Sequence, residues 1–295
     1  MLETTLADAL GDAARRLASS GIADAGREAR ALWAAVAGAK ITPGDVWLAR
    51  GGAPAPDVAS HFQDVVARRA GGAPFAYAVG RTDFRTLDLA IDSRALIPRP
   101  ETEGLVDLVL RTLQTPDTGH PTPGGVVADI GAGSGCIALS LAVEGAFDRV
   151  IAVERSPAAA ALARENVARV RPLVPVEIRE GDLFAPLTGE RLRAIVSNPP
   201  YLTEAEYGDL DPAVRSWEPR DALASGPDGL DATRALLAGA RAFLEPGGFL
   251  ALEIDERRAD AVRVLAQACH WPHVTVYDDL FGRPRYLLAA LEEDA

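Results

Sequence analysis

Cysteine is nearly missing: Cys136 and Cys269 are the only two in 295 residues, too few for a disulfide framework and suited to a reducing compartment. Each is expected to be a small buried hydrophobe. Lysine is scarcer still, with Lys40 alone, so no G-x-x-x-x-G-K-[ST] phosphate loop can be written. Long uncharged apolar runs are missing too, since Val126 to Ala128 and Ile137 to Val143 fall far short of the roughly 20 residues of a membrane helix. The four histidines, His61, His120, His270 and His273, do not converge with cysteine on a ligand spacing, so no metal is implied. No G-x-S-x-G elbow is present, and Ser134 has no evident base partner. The first residues, "MLETTLADALGDAARRL", lack the basic stretch and apolar block of a secretory signal. A cytoplasmic location is expected. Basic side chains are also in deficit, 30 against 42 acidic ones for a net charge of −12, and that field opposes a polyanionic partner.

What is present describes a globular protein with a sizeable core: 48% of residues are hydrophobic and 24% charged. Apolar residues recur at helical spacing in the first part, at Leu2, Leu6, Leu10, Ala13 and Leu17 and again at Ala29, Leu32, Trp33 and Val36. Thr42-Pro43 predicts an N-cap with proline at the first helical position, and Gly51-Gly52 closes that short helix. A further helix is expected over Pro56 to Ala70. Residues 1–73 therefore read as a small helical domain. Residues 74–100 turn to short β-like pieces, "FAYAVG", "TDFRTLDLAID" and "ALIPRP", expected to form a hairpin linker.

Residues 101–295 begin with the helical "ETEGLVDLVLRTL" and then alternate strand and helix through "GVVADIGAGSGCIALSLA", "RVIAVERS", "PAAAALARENVARV", "VEIREGD" and "LRAIVSNPPY". Alternation of this kind specifies an α/β fold, a parallel sheet with helices on both faces. It continues with helices over 231–243 and 257–268, the strand "GFLALEI", and the final "HVTVYDD" and "RYLLAAL", which can pair as an antiparallel hairpin.

Two stretches carry chemistry. "VVADIGAGSG" sets Asp129, Gly131, Gly133 and Gly135 between an apolar strand and a helix. Glycines there let a nucleotide-like ligand approach the backbone at a helix start, although a tight strand-to-helix turn would use the same residues. A dinucleotide fingerprint needs glycine at 136, where Cys136 stands, so that pattern fails by one residue. Glu154 ends the next strand, 23 residues past Gly131, where an acid can bind both ribose hydroxyls; a helix-start residue beside a Ser156-Pro157 cap is the alternative. Asp182 could accept from an adenine amine, with Leu183 or Phe184 against the ring. These acids belong together if the ligand is an adenosine with a positive centre, and S-adenosylmethionine answers that description.

The second stretch is "NPPY", residues 198–201, ending the strand "AIVS". Neither proline can donate to a sheet ladder, and Pro199 holds Asn198 extended. A planar conjugated NH2 is a poor nucleophile until its hydrogens are held aside. The Asn198 side-chain oxygen and the Pro199 carbonyl are two acceptors for them, with Tyr201 to stack on the plane.

The chain resembles the release-factor glutamine methyltransferases, called PrmC or HemK, over nearly its whole length. The resemblance rests on "LIPRPETE" at 96–103, "DIGAGSGCIALSLA" at 129–142, "AIVSNPPY" at 194–201 and "EPRDALASGPDGLDATRALLAGARAFLEPGGFLALEI" at 218–254. It implies a seven-stranded, Rossmann-like class I methyltransferase domain behind a helical substrate-recognition domain. The implied reaction is methylation of N5 of the glutamine in the Gly-Gly-Gln motif of bacterial class I peptide chain release factors. It further implies Asp129, Gly131, Ala132, Gly133, Ser134 and Gly135 around the methionine part of S-adenosyl-L-methionine, Glu154 at the ribose, and Asp182, Leu183 and Phe184 near adenine. Thr102 and Glu103 would lie over the cofactor, and Asn198, Pro199, Pro200 and Tyr201 on the glutamine, Asn198 also bordering the cofactor. The chain departs from the family at Asp255, where glycine is usual, and in the loosely matching "GRTDFRTLDLAID". A ribosomal-protein glutamine, an adenine-N6 group of a nucleic acid, and a non-catalytic cofactor-binding regulator are the other readings. The small basic clusters "ARRAGG" and "GRPR" are either solvated faces or contacts to a release factor or RNA-like surface.

Overall fold

The computed structural model describes residues 4–38, 41–113 and 124–293; Leu2, Lys40 and His120 lie outside them. It divides into two compact units, residues 1–81 with 212–217, and residues 82–211 with 218–295.

The first unit is built from α1 (Leu6–Ser19), α2 (Ala25–Ala37), α3 (Pro43–Ala49), α4 (Pro56–Ala70) and α5 (Phe75–Val79). Thr5 and Thr42 each cap a helix, accepting from the amide three residues on, while Asp8 and Asp45 return the bond in a capping box. The helical periodicity has its physical outcome in one core: Leu6, Ala13, Leu17, Ala29, Leu32 and Trp33 are buried together with Phe62, Val65 and Val66 of α4. Trp33 meets Phe62 edge to face at 5.1 Å. Trp217 packs against the same core. The arginines of "ARRAGG" are tied down within this unit, Arg68 donating to the Ala78 carbonyl and Arg69 to Glu28.

Two of the three pieces expected to be β-like are not strands. "FAYAVG" is the short helix α5 rather than a β piece, with Ala78 N–H donating to Pro74 and Gly80 N–H to Ala76. Pro74 presets the entry, Gly80 ends the turn at φ 80°, and burial of Tyr77, Ala78 and Val79 decides the matter. A short apolar run does not distinguish helix from strand by its pattern. "ALIPRP" forms no strand either: Pro98 and Pro100 have no N–H to give a ladder, and Pro100 instead opens the next helix. The hairpin is confined to β1 (Arg81–Phe84) and β2 (Leu87–Ala90), turning through Arg85 at φ 53°.

The second unit continues with α6 (Pro100–Thr112), β3 (Val126–Ile130), α7 (Cys136–Glu144), β4 (Arg149–Glu154), α8 (Pro157–Val170), β5 (Val176–Glu180), β6 (Leu192–Ser197), α9 (Glu204–Gly208), α10 (Pro212–Trp217, which clusters with the first unit), α11 (Asp231–Gly239), β7 (Leu244–Glu253), α12 (Ala259–Ala268), β8 (His273–Asp278) and β9 (Pro284–Ala290). Its sheet has seven strands in the order β5-β4-β3-β6-β7-β9-β8. The first five are parallel, and β9 enters antiparallel between β7 and β8.

The near-continuous apolar strands follow from burial on both faces. Val150, Ala152, Ala194, Val196, Phe249 and Ala251 join one core cluster with α6 and α7, while the residues between them, Ile151, Val153, Ile195, Leu250 and Leu252, join the other with α11 and α12. Alternate residues of one strand thus hold opposite layers, and the sheet becomes a rigid platform whose strand ends are fixed in register.

Candidate active site

From β3 the chain proceeds outward to β4 and β5, then returns to place β6 on β3's other side. That reversal opens a crevice at the strands' carboxyl ends, where open α/β sheets hold their ligands. A cavity of about 690 Å³ occupies it, within the range that encloses a cofactor-sized molecule. Its wall includes Gly131, Gly133, Glu154, Asp182, Leu183, Asn198, Pro199 and Pro200. Sequence reasoning named all eight.

The glycine loop takes its shape from backbone conformation. Gly131, Gly133 and Gly135 sit at φ 77°, 56° and 82°, the left-handed region that side chains with a Cβ resist. The N–H groups of Gly131 and Ala132 both donate to the Val153 carbonyl, at 2.9 and 3.0 Å, fastening the loop to the end of β4. Glu154 completes the clamp: one carboxylate oxygen accepts from Gly133 N–H at 2.8 Å and the other from Ser156 N–H at 2.7 Å. A carboxylate has about four acceptor sites, so capacity is left for hydroxyls in the cavity. Ser156 caps α8, its side chain accepting from Ala159 N–H.

Asp129 is placed differently. It is fully buried beneath the loop and does not line the cavity. Its Oδ2 accepts from the Ala138 N–H at 3.1 Å, and its Oδ1 has no partner among the described residues. Burial pushes its pKa up to about 7, against the pull of the Ala138 N–H, and the charge of Glu154 adds to the rise. Ala132, Ser134 and Gly135 likewise form the loop without lining the cavity.

Of the two candidates for the adenine ring, only Leu183 is on the wall. Phe184 stacks on Phe243, centroids 5.2 Å apart and planes 13° off parallel, and so belongs to the core packing. Asp182 is exposed at the rim.

At the proline corner, Asn198 donates through Nδ2 to Thr102 Oγ1 at 3.0 Å, and Thr102 Oγ1 donates to Glu253 Oε2 at 2.7 Å. No hydrogen bond reaches Asn198 Oδ1 among the described residues. Tyr201 is not on the cavity wall; burial, then the nearby Glu253, pushes its hydroxyl up to about 12, so it stays neutral at physiological pH. Thr102 and Glu103 do not line the cavity either. Thr102 is buried in the first turn of α6, and the Glu103 carboxylate accepts from the Arg85 N–H at 3.0 Å. Arg94, Ala95 and Leu96 line the cavity instead, from the segment just before "PRPETE".

Several contributors were not singled out from the sequence. Ser197 donates to the Ile130 carbonyl at 2.6 Å, locking the end of β6 to the start of the glycine loop. Asn166, fully buried on α8, donates to the Ala90 and Ser134 carbonyls and accepts from Ala90 N–H, joining β2 to the loop. Glu218 clasps Arg99 with both oxygens at 2.8 Å. Glu253 had a visible signal, an acid closing the apolar "FLAL". Asp255 accepts from Arg257 and Arg258, and Glu206 pairs with the same two arginines, which links α9 to the end of β7. In "GRPR", Arg285 pairs with Asp279.

The set of acceptors and apolar surface suits S-adenosylmethionine. Acids at Glu154 and Asp182 offer acceptors to hydroxyls and an amine, Leu183 offers an apolar face, and Gly131 leaves open space where a Cβ would stand.

Comparison with known proteins agrees with this geometry. Residues 106–210 match the family described as methyltransferase small domain, and residues 8–80 match the PrmC N-terminal domain. A release factor glutamine methyltransferase of Moorella thermoacetica is 42% identical over 98% of this chain and 100% of its own length. Those of Cereibacter sphaeroides and Deinococcus radiodurans are 41% and 39% identical over 97% and 96% of this chain, and 98% of their own in each case. Among solved structures, a Pyrococcus furiosus methyltransferase superimposes with a TM-score of 0.51 at 21% identity, covering 70% of this chain and 90% of that one. A 16S rRNA methyltransferase of Thermus thermophilus, in complex with AdoMet and guanosine, gives 0.52 at 19% identity over 72% and 50%. These two share the fold.

Proposed function

The chain belongs to the release factor glutamine methyltransferase family, and from that membership we propose that it transfers the methyl group of S-adenosyl-L-methionine to the side-chain amide nitrogen, N5, of a peptide chain release factor glutamine, the one in the Gly-Gly-Gln motif. The cofactor, when bound, supplies an electrophilic methyl group. Glu154 holds the ribose hydroxyls, Asp182 the adenine amine, Leu183 the ring face, and the glycine loop gives the remainder close access to backbone.

The chain's own task is to prepare a reluctant nucleophile. Amide nitrogen shares its lone pair with the carbonyl, and it reacts only if the NH2 is oriented with that pair toward the methyl carbon about 3 Å away. Asn198 Oδ1 and the Pro199 carbonyl are two acceptors at one corner, one for each amide hydrogen. The prolines make that corner stiff, so little entropy is lost when the substrate docks. Tyr201, off the cavity wall and neutral at working pH, backs that corner without adding a charge.

The observation that carries this reading is Asn198 on the cavity wall with its NH2 engaged by Thr102 and its oxygen left available. The test is transfer of labelled methyl from S-adenosylmethionine to an unmethylated release factor. Label is expected on the wild-type factor and none on the Gln→Ala variant of its Gly-Gly-Gln loop. Label that survives that change, or that appears on ribosomal protein or nucleic acid instead, overturns the substrate assignment. A cytoplasmic location belongs to the same proposal; among the described residues no helix is long and apolar enough to cross a membrane.

A further inference from the structure

We propose that Glu253 and Thr102 are positioning residues that set the polarity of the Asn198 side chain, holding its carbonyl oxygen, rather than its NH2, toward the cavity. The inference rests on the proposed methyl transfer to a glutamine amide and adds a cause for the orientation which that reaction needs.

An asparagine side chain has nearly the same shape after a half-turn about its last bond, so shape alone does not decide which end faces a ligand. Hydrogen bonding must decide. The three residues come from three elements: Asn198 follows β6, Thr102 lies in the first turn of α6, and Glu253 ends β7. Thr102 and Glu253 are 2% and 1% exposed, so water does not compete for their bonds. An ionised carboxylate only accepts, and a hydroxyl has a single proton. With that proton directed to Glu253 at 2.7 Å, Thr102 Oγ1 can present only a lone pair to Asn198, 3.0 Å away. The lone pair demands an N–H. Asn198 therefore turns its NH2 inward, and Oδ1 is the end left for the substrate. A half-turn would set oxygen against oxygen and point two donors at the two donors of the glutamine amide.

The surroundings keep Glu253 able to switch. Burial above all, and then Glu101 from α6, favour its proton, whereas the Thr102 hydroxyl, Arg285 on β9 and Arg99 before α6 favour its charge. Tyr286 on β9, Tyr201 after the proline corner and Cys136 at the start of α7 also face it. Once protonated, Glu253 can donate to Thr102, the hydroxyl proton is released toward Asn198, and the wrong orientation becomes acceptable. Since the group titrates at about 7, methyl transfer should fall on the acid side of neutrality.

The experiment uses the full chain with an unmethylated release factor, and measures kcat, KM for the factor, cofactor affinity and the melting midpoint. Thr102→Val keeps the shape and removes the hydroxyl; Thr102→Ser restores it; Glu253→Gln replaces an obligate acceptor by a group that can donate or accept. Expected results are a roughly tenfold or larger loss of kcat in Thr102→Val and Glu253→Gln, with cofactor affinity within about threefold of wild type, recovery of most of the activity in Thr102→Ser, and disappearance of the acid limb from the pH profile of both impaired variants. Wild-type kcat or an unchanged acid limb in Thr102→Val overturns the proposal. So does loss of cofactor binding, which would make the contacts a support of the cavity alone. If wild-type protein itself fails to label the release factor, it is the substrate reading that fails, not the polarity argument.

Discussion

Asp129→Asn should make the protein more stable and a poorer cofactor binder, with the gain in stability growing as pH rises. The wild-type carboxyl is fully buried with one oxygen unpartnered among the described residues, and burial pushes its pKa up to about 7 from an ordinary 3.8. A raised acid pKa means that the folded state resists ionisation more than the unfolded chain does. Below about pH 4 both states hold the proton and nothing is lost. Between 4 and 7 the unfolded chain gives up its proton first, so stability declines; above 7 the full penalty has developed. At about 1.4 kcal/mol per pH unit of displacement, the penalty is roughly 2 kcal/mol at pH 5 and roughly 4 kcal/mol at pH 8. Asparagine cannot ionise, and its oxygen can still accept from Ala138 N–H. Urea unfolding of both proteins at pH 5 and pH 8 measures the difference: the variant's advantage should be larger at pH 8 by about 2 kcal/mol. Calorimetric titration with S-adenosylmethionine should show weaker binding, because a negative charge beneath the loop has been removed from the neighbourhood of a cationic ligand. A variant whose stability advantage is the same at both pH values would refute the burial argument.

Three further outcomes follow from the same geometry, beside the pH and rescue pattern set out for Thr102 and Glu253. Glu154→Gln turns one acceptor into a donor facing the N–H of Gly133 or Ser156, so cofactor affinity should fall by about 30-fold or more on the strength of bonds to a charged group; calorimetric affinity within threefold of wild type would contradict it. Asn198→Ala should bind cofactor almost normally in calorimetry and lose about a hundredfold or more in turnover of a release factor, whereas retained turnover would remove Asn198 from the chemistry. Asp255→Gly leaves the Arg257 guanidinium with Glu206 and the Arg258 guanidinium with Glu206 and the Asp228 carbonyl, and should cost about 1–3 kcal/mol in urea unfolding while the labelled product stays the same; a change in which substrate is labelled would show that Asp255 acts in recognition.

The sequence made legible whatever depends on local pattern. Strand and helix alternation specified the parallel layer because Ile195 and Val196 must face opposite helices, and the glycines and prolines marked the loops because only those residues tolerate or enforce the observed backbone. Patterns failed where a choice depended on distant partners. Phe184 and Leu183 are adjacent and equally apolar, yet Phe243 claims one for the core and leaves the other at the cavity. "FAYAVG" alternates like a strand but is short enough for burial in the helical unit to overrule its spacing. The "PRPETE" block was recognisable as a signature, but its threonine works through an acid 151 positions away. No sequence period connects such a pair; the packing of α6 against β7 in one core brings them together.

The pairing of β7 with β9 has one more consequence, for how the site comes into being. Glu253 is paired in the sheet with Tyr286 of β9, and the Tyr286 hydroxyl donates to the Glu101 carbonyl at 2.7 Å, bracing the helical turn that carries Thr102. During synthesis the glycine loop and the proline corner both emerge well before β9. Until β9 threads in, the flank of β7 is a bare edge with open backbone groups, and water can reach the acid. A chain interrupted before Pro284 should therefore hold every signature motif and still be unable to align an amide, so that premature fragments of this enzyme are silent.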